Sequence, residues 1–328
     1  MATTHKIPAI MQAWACRNYG GPENLALLTL AVPVPKSHQV LIRVTTTTVD
    51  SADVRIRTQN LPRGMGLMGR LAFGLRRPRQ AVLGTNVVGE VVAIGAAVQH
   101  LKVGDRVLGL TGAGGGAHAA YCCVAEQKAV PVPEGVSDEH AIAVVFGGLT
   151  ALHFLRSASV KAGERVLVIG ASGAVGVALV QLAVKEGAEV TAMTRQANVD
   201  WVAELGANKV VDYQDTSLSE LEETFDIIAD AVAATNFAQA KERLREFGRY
   251  IPIAGGLPDL LARSSGTRRS VKGVAPDSPE MVGELLRWVA EGKLKPVIHE
   301  VMAFSNLREA HRLVETGHKR GSLVIRIN

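Results

Sequence analysis

The chain has 328 residues, 47% of them hydrophobic and 20% charged, with 33 glycines, few aromatics and a formal net charge of +5. That length suits two domains, and the composition is that of a globular protein with ample core, which excludes disordered, fibrous and membrane-embedded classes. Three cysteines, Cys16, Cys122 and Cys123, are too few for a disulfide framework, so a reducing, cytoplasmic compartment is expected.

The N-terminal stretch MATTHKIPAIMQAWACR has neither a basic region followed by an apolar core nor a small-residue cleavage site. Residues 14–130 read as β-rich. VLIRVTTTTV at 40–49 is β-branched at every position but Leu41 and Arg43. VVGEVVAIG at 87–95, DRVLGL at 105–110 and HAAYCCVA at 118–125 are short strands, the first two set among glycine turns. From about 137 the texture turns helical. Ser137 is placed to cap a first helix, and the pair Gly147-Gly148 is expected to separate it from a second.

Residues 166–196, VLVIGASGAVGVALVQLAVKEGAEVTAMTRQ, are the most informative. Val166 to Val184 carries no charge and is nearly long enough to cross a bilayer. Three glycines, a serine and a glutamine interrupt it, and its period changes from a solid strand to a helix, so a membrane reading fails. The order is strand, tight glycine turn, helix, strand. Such a turn lets backbone approach a ligand, and the helix N-terminus offers unpaired N–H groups to an anion such as a dinucleotide pyrophosphate. Two further buried strands follow at 226–232 and 249–255, with a helix expected between them that closes on Gly248. The pattern implies a doubly wound parallel α/β sheet. The tail offers a helix at 278–293, a short helix near 305–316 and a terminal strand. No repeat or low-complexity segment is present.

These stretches, taken in order, resemble the zinc-independent part of the medium-chain dehydrogenase/reductase superfamily, on its quinone oxidoreductase (zeta-crystallin-like) branch. The resemblance runs through GGPENL at 20–25, DSADVRIRTQ at 50–59, LGTNVVGEVVAIGAAVQHLKVGDRV at 83–107, GLTALHFL at 148–155, GASGAVG at 170–176, LGANKVVDY at 205–213 and AHRLVETGHKRGSLVI near the end. It implies a GroES-like catalytic domain over residues 1–130, completed by about 270–328, a Rossmann domain over 131–269, and a cleft between them. It also implies a soluble homodimer paired edge to edge near 249–257. Three departures stand out. Asn86 replaces the family's usual acid, Asp50-Ser51 replaces Asn-Pro, and a basic insertion occupies 60–80.

Zinc-dependent relatives need cysteine and histidine ligands. Here the corresponding positions are Asp50, Thr85-Asn86 and Gly147-Gly148, and the chain has no CxxC pair, so no metal is expected. His118, His153 and His311 read as surface or satisfied core residues, and Cys122-Cys123 as strand packing. Without a Lewis acid the expected reaction is hydride addition to an enone, an enoyl thioester or a quinone, whose product anion is delocalised. The alternatives are a zinc-independent alcohol or aldehyde oxidoreductase, and a cofactor-binding protein with a nucleic-acid role.

NAD enzymes usually end the second strand on an acid that holds the ribose 2′-OH. This strand ends Met193-Thr194-Arg195, with no acid before Asp200, which suits the 2′-phosphate of NADPH. Tyr213 matches a position that contacts the same phosphate or the adenine. The turn residues Ala171, Ser172, Gly173, Ala174 and Val175, with Ala231, Val232, Ala254 and Gly255 at the ends of later strands, complete the expected cofactor contacts. Thr150 is implied to lie near the nicotinamide. Asp50, Ser51 and Thr150 are the catalytic candidates, and Thr85 is a further hydroxyl. Asp50 either lines the pocket, protonated, or pairs with Arg55 or Arg57. Residues 55–79 hold seven arginines and no acid. They read as a lid with Met65, Leu67, Met68, Leu71 and Phe73 as its apolar face, as an attractor of acidic small-molecule substrates, or as a nucleic-acid or membrane-surface patch. The one aromatic there, Phe73, argues against nucleic acid.

Overall fold

A computed structural model of the chain describes residues 6–327, so the first residues of the N-terminal stretch lie outside the described part. The chain divides into two compact units: residues 1–60, 67–145 and 277–328 form one, and residues 61–66 and 146–276 the other.

The first unit opens with an antiparallel pair, β1 (Ile10–Cys16) and β2 (Leu25–Ala31). Its main sheet is built on the long β3 (Gln39–Val49), which pairs antiparallel with β4 (Asn86–Ile94). Beyond β4 come β5 (Arg106–Leu110) and, past that, β7 (Ala129–Pro131), while β6 (Tyr121–Ala125) pairs with β3. Alternate β-branched residues Val40, Ile42 and Val44 are buried against Val87, Val91 and Val107. Ser137 caps the helix Asp138–Ala143, accepting from the His140 N–H at 3.1 Å. This helix packs on β3 and β4, so the change of unit falls at 145/146 and not near 130.

The second unit is a six-stranded parallel sheet of β8 (Arg165–Ile169), β9 (Glu189–Thr194), β10 (Lys209–Asp212), β11 (Phe225–Asp230), β12 (Leu244–Pro252) and β13 (Arg269–Ser270). The spatial order is β10-β9-β8-β11-β12-β13, which is the 3-2-1-4-5-6 order of a dinucleotide-binding sheet. The apolar run from Val166 splits into β8, a turn and the helix Ala174–Lys185, and no helix of the described residues is long and apolar enough to cross a membrane.

Back in the first unit, β14 (Ile298–Ala303), which follows the helix Pro279–Ala290, and β15 (Ser322–Arg326), which follows the helix Leu307–Glu315, complete the β3 sheet.

Three local expectations change. Gly147-Gly148 does not break a helix: one helix runs Val145–Ala158, and a Cβ on Gly147 would lie 2.1 Å from the Ala174 carbonyl oxygen, so the glycine serves close packing. Between β11 and β12 only Phe237–Ala240 is helical. Leu244 and Tyr250 are drawn into the core as strand residues, and this burial overrides the helical propensity of residues 241–248. Last, β12 lies between β11 and β13 and is no edge. Pairing of two sheets would have to use β13 or β10 instead of 249–257.

Candidate active site

In the second unit the glycine turn stands at the carboxyl end of β8. Gly170 takes φ +82°, a conformation that favours glycine, and its N–H bonds the Met193 carbonyl of β9 at 3.1 Å. Gly176 is pressed against the turn: a Cβ there would lie 2.1 Å from the Gly170 carbonyl oxygen. Gly173 caps the helix with no side chain, and no acidic residue occupies the first helical turn. A Cβ on Gly173 would meet only one atom, at 3.6 Å, so the space before the helix N-terminus is open. Ala171 is buried, while Ser172, Ala174 and Val175 are half-buried around that space.

At the end of β9, Thr194 is buried and its hydroxyl has no hydrogen-bond partner among the described residues. Arg195 Nε donates to the Tyr213 hydroxyl at 2.5 Å, and the Tyr213 N–H bonds the Thr194 carbonyl at 3.0 Å. One acid escaped the sequence reading. Asp212, at the end of β10, is brought beside Gln196, where its two carboxylate oxygens accept from the N–H groups of Gln196 and Gln214 at 3.0 and 2.9 Å. It comes from the neighbouring strand, so no spacing rule finds it.

The later strand ends carry a polar knot. Buried Asp230 accepts from the Val232 and Thr235 N–H groups at 2.9 Å each, and the Tyr250 hydroxyl bonds the Thr235 carbonyl. Burial raises the Asp230 carboxyl above its ordinary range, and those backbone donors oppose the rise. The knot holds Ala231 and leaves Val232 exposed beside Gly170. Ala254 is buried and Gly255 half-buried at the end of β12. Thr150 is half-buried in its helix and donates to the Phe146 carbonyl at 2.8 Å, so its oxygen is left as an acceptor. A preformed N-terminal anion cradle, an unpartnered buried hydroxyl and an arginine at the second strand end fit a dinucleotide.

In the first unit a cavity of about 340 Å³ is lined by Asp53, Gly84, Thr85, Phe73, Pro78 and Arg79, among others. Asp50 does not reach its wall. It is buried as the N-cap of the helix Ser51–Thr58, accepting from the Ala52 and Asp53 N–H groups at 2.9 and 3.3 Å, while Ser51 opens that helix half-buried. Asp53 reciprocates by accepting from the Asp50 N–H at 3.0 Å and also from the Gly84 N–H at 2.9 Å. Nor does Asp50 pair with Arg57, whose guanidinium bonds Glu315, the Gly20 carbonyl and His311.

The link from Asp50 to the cavity is Thr85. Its hydroxyl accepts from Asn86 Nδ2 at 2.8 Å and donates to Asp50 Oδ2 at 3.3 Å. Asn86 therefore does what the family's usual acid could not do when ionised: it donates, occupying one lone pair of the Thr85 oxygen and leaving the other lone pair and the O–H to be shared between Asp50 and the cavity. Burial, then the neighbouring Asp53 charge, pushes the Asp50 carboxyl up to about 7 against the pull of its backbone donors and Lys319. Burial likewise raises Asp53 to about 6 and lowers Lys319 to about 8.

His118 and His311 are buried edge to edge, 5.7 Å between ring centres. Each uses one ring nitrogen and leaves the other without a hydrogen-bond partner among the described residues, so they are only half-satisfied core residues. Burial holds His118 down to about 4 and His311 well below its ordinary range. His153 is half-buried on its helix. Burial pushes the Cys122 thiol up to about 12, so it packs as a thiol, while Cys123 is half-exposed. Among the described residues no group of three or more His, Cys, Asp and Glu side chains is placed to hold a metal ion.

A Rossmann sheet with its anion cradle and a GroES-like β unit with a cavity together mark an NAD(P)-dependent oxidoreductase. Residues 36–134 match the family described as alcohol dehydrogenase GroES-like domain, and residues 205–325 that described as zinc-binding dehydrogenase. The chain is similar to quinone oxidoreductase of Sus scrofa, at 30% identity over 98% of this chain and 98% of the relative. It is similar to 2-methylene-furan-3-one reductase of Solanum lycopersicum, at 29% identity over 99% of this chain and 81% of the relative. The solved quinone oxidoreductase of Coxiella burnetii superposes with a TM-score of 0.85 at 26% identity, covering 97% of this chain and all 100% of that one. The chain belongs to the medium-chain dehydrogenase/reductase superfamily, on its quinone oxidoreductase branch. It is an enzyme.

Proposed function

We propose that the protein is an NADPH-dependent reductase of quinones or of C=C bonds conjugated to a carbonyl, working without zinc. The observation that carries the cofactor choice is the Arg195–Tyr213 pair after the second strand: a guanidinium and a phenol stand hydrogen-bonded to each other where a 2′-phosphate would sit, next to the buried, unpartnered Thr194 hydroxyl. Asp212, the nearby acid that would favour NADH, is occupied on both oxygens by backbone N–H groups. The bound nicotinamide would supply hydride. The chain's own residues bind the pyrophosphate at the helix starting with Ala174, orient the nicotinamide ribose through the Thr150 oxygen, and hold an apolar acceptor in the cavity behind Phe73. The relatives named as quinone and enone reductases support this substrate class.

The test is one set of anaerobic rates with quinones, enones and enoyl thioesters, taken with NADPH and NADH and with and without a chelator. Wild type should prefer NADPH and ignore the chelator. A charge-assisted phosphate contact contributes about 1.5–3 kcal/mol, so Arg195→Ala should raise the KM for NADPH at least about tenfold and leave NADH nearly untouched. Arg195→Asp should favour NADH. Equal losses for both cofactors would remove the phosphate assignment. Silence on every acceptor, or one zinc per chain, would remove the function.

For the proton that completes the reduction we propose Thr85, resupplied by Asp50. With Asp50 protonated, its O–H donates to Thr85 Oγ1, and the Thr85 O–H is then released toward the cavity. The acid form is needed, and its carboxyl sits at about 7. Turnover should therefore be full below that pH and fall as pH rises through it. General-acid assistance of this kind is worth roughly 10²–10⁴-fold. Asp50→Asn keeps the helix cap, because asparagine caps as well as aspartate. It should lower kcat by at least about 10²-fold and flatten the limb near 7. Thr85→Ala should lower kcat while leaving the KM for NADPH in place, and Thr85→Ser should restore it. A limb that persists in Asp50→Asn would rule out the relay.

A further inference from the structure

We infer that residues 67–79 form a docking surface for an anionic lipid bilayer. The segment is two-sided. Its inner side, with Ala72, Phe73, Pro78 and Arg79, lines the 340 Å³ cavity. Its outer side does not serve as the lid's apolar face that the sequence suggests: Leu67, Met68, Leu71 and Leu75 are 71%, 50%, 55% and 60% exposed.

Leu67 and Leu71 stand one turn apart on the helix Gly66–Phe73, so they share a face, with Arg70 exposed between them. The chain then turns at Gly74, where the Tyr19 hydroxyl bonds the carbonyl oxygen at 2.8 Å. Just beyond, Arg76, Arg77 and Arg79 line an open groove of about 1110 Å³ together with Arg17, and no acid lines it. No acidic residue occurs from Val54 to Gly89.

Exposed leucines alone would suit a second copy of the chain, and arginines alone would suit nucleic acid. The combination in one short segment suits a bilayer surface: apolar side chains enter the acyl boundary while guanidinium groups meet lipid phosphates. Nucleic acid gains nothing from Leu67 and Leu71, and the one aromatic of the segment, Phe73, faces the cavity and not the outer surface. Charge complementarity thus selects anionic over zwitterionic lipid. Docking would set the cavity wall against the phase in which apolar quinones and enones dissolve. That consequence rests on the proposed substrate class, whereas the docking itself does not.

The test is co-sedimentation of the full chain with phosphatidylcholine vesicles, with and without phosphatidylglycerol, at low and high salt. Binding should need phosphatidylglycerol and weaken with salt. Each arginine near an anionic surface contributes roughly fivefold in partitioning, so R76Q/R77Q should bind about twenty-five-fold more weakly. L67S/L71S should lose at least about tenfold through the lost apolar burial. Neither pair lines the cavity, so turnover of a water-soluble quinone should be unchanged in both. No binding by wild type overturns the inference. So does binding indifferent to L67S/L71S, which would mark a general polyanion site. So does a wild-type dimer in light scattering that L67S/L71S dissolves without changing vesicle binding. Absent quinone turnover with intact vesicle binding would instead count against the proposed function alone.

Discussion

Arg57→Met should destabilise the protein by about 3–5 kcal/mol, the cost of breaking a buried ion pair on one side. Arg57 is the largest fully buried side chain among the described residues. It joins three parts of the first unit: its own helix, the Gly20 loop and the helix Leu307–Glu315. Its neighbours His118 and His311 are kept neutral by burial, so the guanidinium must find its counter-charge in Glu315. Methionine fills much of the volume but leaves the Gly20 carbonyl and His311 Nδ1 without donors, each costing about 1–3 kcal/mol. Glu315, partly open to water, recovers its hydration, which keeps the loss from rising further. At roughly 2–4 °C per kcal/mol, the midpoint should fall by about 6–20 °C. Glu315→Gln should cost less, since an amide oxygen still accepts the guanidinium bond. Thermal unfolding of both variants checks this. A shift below about 1 kcal/mol for Arg57→Met would mean that water replaces the guanidinium.

The sheets were legible in the sequence because their signals are local. The β-branched run at 40–49 is β3, the apolar run before Gly170 is β8, and Ser137 does cap a helix. What stayed hidden is long-range. Gly147-Gly148 reads as a break from local propensity, yet what decides its role is the Ala174 carbonyl, many residues away. Residues 241–248 read as helix because Lys241, Glu242, Arg243 and Arg245 favour one, while the burial of Leu244 and Tyr250 fixes a strand. The same holds for the sites. The glycine turn and Arg195 lie in one stretch and could be found by spacing. The Asp50–Thr85–Asn86 chain joins a helix cap to a strand start, and Asp212 reaches Gln196 across two parallel strands. Neither leaves a pattern along the chain. One of the three readings of the basic insertion put Leu67 and Leu71 on the apolar face of a lid, because composition shows that a segment is amphipathic but not which way it faces.

Gly176→Ala should abolish NADPH binding and lower stability together, whereas Gly173→Ala should weaken binding with little change in stability. The two glycines lie in one turn, and the difference is steric. A Cβ on Gly176 would stand 2.1 Å from the Gly170 carbonyl oxygen and 2.6 Å from the Ala171 Cα, and both are backbone atoms that no rotamer change can move. The helix must then lift off the turn. That separates its N–H groups from the anion position and strains the β8 to β9 contact, where Gly170 and Ala171 both donate to the Met193 carbonyl. Overpacking of this kind costs about 1–3 kcal/mol. Gly173 has φ −76°, open to any residue, and its Cβ would make one ordinary contact at 3.6 Å. The added methyl group harms nothing in the protein but occupies space before the helix N-terminus, where a pyrophosphate would need to come close. NADPH affinity by fluorescence titration should fall at least about tenfold in Gly173→Ala, which is about 1.4 kcal/mol, while its melting temperature stays near wild type. If Gly173→Ala binds NADPH as wild type does, the phosphates do not sit at this helix end. If Gly176→Ala melts and binds normally, the helix moves off the turn at no cost and the close approach is not required.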